Sequence, residues 1–221
     1  MRLRAKAGAT PQKIGVKTSW RRDRLNPWSN VMAFTYTTRQ GTTYYLHTGP
    51  KRGGGTQHYV STNPEGPVAE AIPHGFEIYE TPNGRVYLRK ARPALIRPEE
   101  LALVNAALNK LRTPEHCYLA EVTGREIVIH EGETRIEALR AINIRFSERG
   151  LEEYAARHAQ FTAVMRFILN DDASRAFAPE RFCFRGSVED WISIGEPAPL
   201  RALISKFFKH LGKNSMFDLC Y

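Results

Sequence analysis

No stretch of this chain approaches the roughly 20 apolar residues that a membrane-spanning helix requires, and its first residues lack the apolar core of a secretory leader. Cysteine is scarce. Cys117, Cys183 and Cys220 are odd in number and widely spaced, which argues against a disulfide framework and points to a reducing compartment, so the expected location is the cytoplasm. C-x-x-C and H-E-x-x-H do not occur, and the seven histidines include no pair at metal-ligand spacing. Structural zinc and zinc-assisted hydrolysis thus lose their usual sequence evidence, and no metal or cofactor is expected. The run Lys51-Arg52-Gly53-Gly54-Gly55 lies between two strand-like segments and does not close on Lys followed by Ser or Thr, so it reads as a hairpin tip rather than a phosphate loop.

Acid is nearly missing from the N-terminus. Residues 1–30 hold eight lysines and arginines against Asp23 alone, so they carry +7 of the net +9 and leave +2 to the rest. The basic character therefore belongs to an arm, with Arg21, Arg22 and Arg24 at its end, and not to the body. The arm contains Gly8, Pro11, Gly15 and Pro27 and no apolar period, so it buries too little surface to offset its ordering entropy. Three readings stand open. Its cations can displace counterions from phosphate backbones; it can be a transit-like address; or Met32, just before the first strand-like segment, is the natural start.

The body reads as mixed α+β. The 42% apolar fraction supports a core, and a globule of this length buries about 70% of its unfolded surface without disulfides. Residues 33–38, 42–48, 56–61, 76–80 and 85–90 alternate as strands, the last two flanking Pro82-Asn83-Gly84, a strong hairpin signal. They are expected to form an antiparallel meander of five strands, with 67–72 as a helical or irregular crossing. Pro98 opens a helix over 98–112, whose Leu101, Val104, Leu108 and Leu111 make one apolar stripe expected to cover that sheet. Thr113-Pro114 marks the boundary to a smaller mixed unit, 113–221, either separate or sharing one core. That unit reads as a hairpin (117–122 and 126–130), helices near 134–141 and 151–158, and strands at 161–169 and 181–185. A final helix over 200–211 is stopped by Gly212.

Two basic faces are candidate sites. Alternation places Arg181 and Arg185 on one face of their strand, and Arg166 on the preceding strand is expected to join them. Three convergent guanidiniums can hold a phosphate or carboxylate bidentately. The competing reading is that Glu189, Asp190, Asp171 and Asp172 simply pair with them. On the first sheet Arg85, Tyr87 and Arg89 share a face, expected beside Phe76 and Ile78. Such a mixture of rings and cations can stack bases, or lie buried beneath the 98–112 helix.

The segments from Asn63-Pro64-Glu65-Gly66 through Ile72-Pro73-His74-Gly75-Phe76-Glu77-Ile78-Tyr79-Glu80 and Pro82-Asn83-Gly84-Arg85-Val86-Tyr87-Leu88-Arg89-Lys90 resemble a family of uncharacterised bacterial proteins. So does the stretch from Met165-Arg166-Phe167 through Cys183-Phe184-Arg185-Gly186-Ser187 and Asp190-Trp191 to His210-Leu211-Gly212-Lys213. The resemblance implies a bacterial origin and no catalytic residue. The expected function is a non-enzymatic binding or accessory protein for an anionic partner, nucleic acid among them. The alternative is an enzyme acting on a phosphorylated or carboxylated small molecule at an arginine-lined face.

Removing residues 1–31 is expected to leave the melting temperature within a few degrees of the full chain's; a larger fall would place the arm against the body. If all eight cations engage duplex DNA, log affinity falls with log salt at a slope of about −7.

Overall fold

The computed structural model describes residues 33–93, 95–142, 147–185 and 188–219, with Ala33–Tyr221 forming one compact unit. Arg21, Arg22 and Arg24 lie outside the described residues.

The fold is α+β, built from antiparallel sheets. β1 (Thr35–Thr37), β2 (Thr43–Pro50) and β3 (Thr56–Ser61) form a three-stranded meander. β4 (Phe76–Glu80) and β5 (Val86–Lys90) form a separate hairpin, so the five expected strands divide three and two. The cause lies between them. Pro64, Pro67 and Pro73 withhold backbone donors from a continuous ladder, and the irregular segment instead crosses β2 with single bonds. Thr48 N–H donates to Pro67 O at 3.0 Å and Ala69 N–H to Leu46 O at 2.8 Å. His47, 1% exposed, holds the same crossing, its ring nitrogens lying 3.1 Å from Pro67 O and 2.9 Å from Asn63 O. The register sets His47 opposite Tyr59, and the two rings stack at 5.3 Å.

α1 (Pro98–Leu111) follows, then β6 (His116–Thr123) and β7 (Glu126–Glu133). α2 (Ile136–Ala141) and α3 (Glu148–Arg157) come next, the latter capped by Ser147 Oγ accepting from Gly150 N–H. β8 (Gln160–Asp171), β9 (Ala176–Arg185) and β10 (Val188–Ser193) complete a sheet ordered β10-β9-β8-β7-β6, with β11 (Ala198–Pro199) pairing β9. α4 (Leu200–Phe207) ends in two 3-10 turns, Phe208–His210 and Asn214–Met216. Sequence pattern did not reveal β10. Its adjacent acids Glu189 and Asp190 break the alternation, and an edge strand can carry charge without burying it.

One face of the large sheet carries Ile127, Ile129, Met165, Phe167, Leu169 and Phe177, each 0–1% exposed. α4 contributes Leu203 and Phe207 to the same cluster, and α1 contributes Val104 and Leu108. The helix expected over the first sheet therefore packs on β6 and α4 instead. The reason is supply: the 33–90 strands offer few fully buried side chains, while the β6–β9 face is a continuous apolar surface. Arg175 fastens the start of α1 to the β8–β9 turn, its guanidinium bonding both oxygens of Glu100 at 2.9 and 2.5 Å.

Since Val104 and Leu108 find their partners beyond residue 113, a fragment of residues 33–112 is expected not to fold alone. A well-dispersed amide NMR spectrum from that fragment would contradict this packing.

Candidate anion-binding site

The register of β8 and β9 separates the arginines expected to converge. Met165 lies opposite Arg181 and Arg166 opposite Glu180, so the two guanidiniums leave opposite faces of the sheet. Arg181 is 7% exposed on the core side, where Nε donates to Leu219 O at 2.6 Å and Nη2 to Phe217 O at 3.0 Å, clamping the C-terminal segment. Arg166 is also engaged. It bonds Glu180 Oε2 at 2.6 Å, reaches Glu126 Oε2 at 3.4 Å, and lies 4.5 Å from the Trp191 ring centroid. The acids claim Arg166, as the competing reading held, but they are Glu180 and Glu126 rather than those proposed. Arg185 pairs with Val188 across β9 and β10, and its side chain lies outside the described residues.

The second basic face also changes company. Glu77 lies opposite Arg89 and Tyr79 opposite Tyr87, so the neighbours of Arg85, Tyr87 and Arg89 are Glu77 and Tyr79, not Phe76 and Ile78. Arg89 Nε donates to Glu77 Oε1 at 2.7 Å, and its guanidinium covers the Tyr79 ring at 3.7 Å. Tyr87 and Arg85 remain exposed. α1 does not cover this face. Instead the Tyr79 hydroxyl donates to Glu121 Oε1 on β6, and His130 Nε2 lies 3.0 Å from Glu121 Oε2, docking the hairpin on the outer face of the large sheet.

A different set of arginines meets at a cleft of about 360 Å³ along β6, the edge strand of the large sheet. Arg39 comes from the β1–β2 turn, Arg112 from the residue that ends α1, and Arg157 from the last residue of α3. Arg39 is held in place: Nε donates to Glu80 Oε1 at 3.1 Å, and Nη2 donates to Thr81 O at 3.0 Å and Pro82 O at 2.6 Å. Glu80 in turn accepts the Tyr36 hydroxyl at 2.7 Å. Arg112 and Arg157 are exposed and make no hydrogen bond or ion pair with a described residue. The one carboxylate in the lining, Glu153, is paired with Arg149 at 3.1 Å. A second cleft of about 250 Å³ shares Asn109, Arg112 and Ala156 with the first.

The apolar wall is positioned with equal care. Asn83, read in the sequence only as a turn residue, forms a two-way pair with the backbone of Phe161: Phe161 N–H donates to Oδ1 at 2.7 Å and Nδ2 donates to Phe161 O at 3.0 Å. The Phe161 ring and the Cys117 thiol occupy the space where a side chain at residue 132 would sit. A Cβ on Gly132 would stand 2.8 Å from Phe161 Cε1 and 2.9 Å from Cys117 Sγ. Burial pushes the Cys117 thiol up, against the opposing fields of Arg112 and Arg39, and burial and Glu131 push the Tyr118 phenol up as well. Both are neutral near pH 7. Among the described residues no group of three or more His, Cys, Asp or Glu is placed to hold a metal ion.

Sequence reasoning missed Arg39, Arg112 and Arg157. Two stand at helix ends, where a cation already suits the dipole, and the third lies in a turn, so none carries a signal of its own. Set against protein-family models, curated proteins and solved structures, the chain matches none.

The Glu121 contact supplies a pH test. Burial raises its pKa, but the hydrogen bonds from His130 and Tyr79, with the fields of His130 and Arg89, outweigh that and hold it below the ordinary glutamate value. Tyr79, buried and bonded to Glu121, is pushed up to about 12. A depressed folded pKa contributes stability that is present above the unfolded value of about 4.3 and is lost as pH falls through the folded one. Melting temperature is therefore expected to fall more steeply on acidification below about pH 4.3 in the parent than in Glu121→Gln. Parallel acid limbs would show that Glu121 does not stabilise the docked hairpin.

Proposed function

We propose that this protein binds a small anionic ligand in the Arg39–Arg112–Arg157 cleft and acts as a binding or accessory protein. The observation carrying this reading is that three arginines, from three separate elements, line one open cleft. Arg39 is already oriented by its bonds to Glu80, Thr81 and Pro82, so it gives up little freedom on binding. Arg112 and Arg157 have donors to offer, and guanidinium forks match phosphate and carboxylate oxygens.

Duplex nucleic acid suits this geometry less well. A backbone reader spreads its cations over an extended surface, and here they face one cleft. Catalysis also has less support, because a thiol and a phenol held neutral provide no ionised nucleophile.

Titration with inorganic phosphate, followed by NMR or calorimetry, tests the reading. A charge-assisted contact contributes about 1.5–3 kcal/mol, so Arg112→Ala and Arg157→Ala should each weaken binding roughly tenfold or more. Their melting temperatures should stay near the parent's, since neither side chain has a described partner. Arg166→Ala, which lies outside the cleft lining and is paired with Glu180, should bind as the parent does. Absence of binding, or equal binding in all three variants, would remove the cleft as the site.

A further inference from the structure

Resting on that reading, the geometry points to a narrower ligand class: we propose that the cleft takes a phosphate monoester carrying an aromatic body. The phosphate is held by Arg112 and Arg157, and the ring lies against Phe161.

Size argues first. The cleft, about 360 Å³, is much larger than a single phosphate group. A bare phosphate leaves most of that volume unfilled, whereas the volume falls within the 300–1,000 Å³ typical of small-molecule sites. The ligand therefore has a body as well as a charge.

The wall states what that body is. Leu108, Leu119 and Phe161 line the cleft beside the arginines. Phe161 is the shaped member of the set. Asn83 fixes its backbone on both sides, and Gly132 leaves its ring a seat that any other residue would fill. The ring is half-buried, and the Arg39 guanidinium lies 5.7 Å from its centroid. A planar apolar group set beside a fixed ring gains from offset or edge contact as well as from area.

Charge decides between anions. Arg39 is paired with Glu80 and the lining carboxylate Glu153 with Arg149, which leaves two unpaired guanidiniums, Arg112 and Arg157. The balance favours a doubly charged group over a singly charged one. A phosphate monoester is doubly charged above its second pKa of about 6; a carboxylate or a sulfate ester carries a single charge.

The test uses the full chain at pH 7.5 and four probes: phenyl phosphate, inorganic phosphate, phenyl sulfate and phenol. Phenyl phosphate should bind about threefold to tenfold more tightly than inorganic phosphate, the share expected of one ring contact. It should also bind more tightly than phenyl sulfate, which has the same shape and less charge. Phe161→Leu should abolish the preference for phenyl phosphate over phosphate, read as the ratio of the two affinities in that variant. Should that variant fail to fold, the four-probe comparison on the parent decides alone. Equal affinity for phosphate and phenyl phosphate overturns the aromatic assignment and leaves the anion site standing. Phenyl sulfate binding as tightly as phenyl phosphate overturns the preference for double charge. Phenol binding as tightly as phenyl phosphate, or phenyl phosphate binding that survives Arg112→Ala, overturns the anion site itself.

Discussion

Burial of one face of the β6–β9 ladder beneath α1 and α4 governs the rest of the molecule. Phe167, Phe177 and Phe207 are among its largest fully buried side chains, and large buried aromatics dominate core energetics. Because strand side chains alternate, fixing Met165, Phe167 and Leu169 inward leaves Arg166 on the outer face. The same rule turns Arg181 inward with Phe177. Arg181 is tolerated there because the carbonyls of Phe217 and Leu219 meet its donors, as a buried charge requires. A single choice of buried face thus separates two arginines that lie on adjacent, paired strands.

That packing also places the cleft. α1 is held at one end by Arg175 and Glu100 and along its length by Val104 and Leu108, so Arg112 emerges at a fixed point beside the edge strand β6. The N-terminal sheet is joined by polar contacts rather than by a second core. Glu80 gathers Tyr36 and Arg39, Asn83 grips the start of β8, and Glu121 receives Tyr79. Each contact joins residues more than forty positions apart, and two of them serve the cleft directly. The polar ties that dock the hairpin are thus also the ties that orient Arg39 and Phe161.

Burial and hydrogen bonding decide which groups in and around the cleft ionise. The groups lining it that shift, Cys117 and Tyr118, move towards their neutral forms. Tyr36 and Tyr79, outside it, move the same way, while the carboxylates Glu100 and Glu121 shift towards ionisation because hydrogen bonds and opposite charges outweigh their burial. Among the cleft's lining residues the guanidiniums keep their charge across the ordinary pH range.

Local physics was readable directly from the residues. The Asn83-Gly84 turn, the strands at 56–61 and 76–80, the start of α1 at Pro98 and the start of α4 at Leu200 all follow from turn chemistry, alternation and helical spacing. These depend on residues within a few positions of one another. The mixed α+β class follows from the same signals. What α1 packs against, the division of the five strands and the existence of β10 were not readable. Each depends on a competition between distant surfaces that no local pattern records. The candidate site lies wholly in that second category. Arg166 and Arg181 have a plausible spacing but the wrong parity, which the β8–β9 register alone decides. Arg39, Arg112 and Arg157 have no spacing in common at all. They share a cleft only because a turn, a helix end and a second helix end are brought to one edge strand by the burial of a sheet face elsewhere.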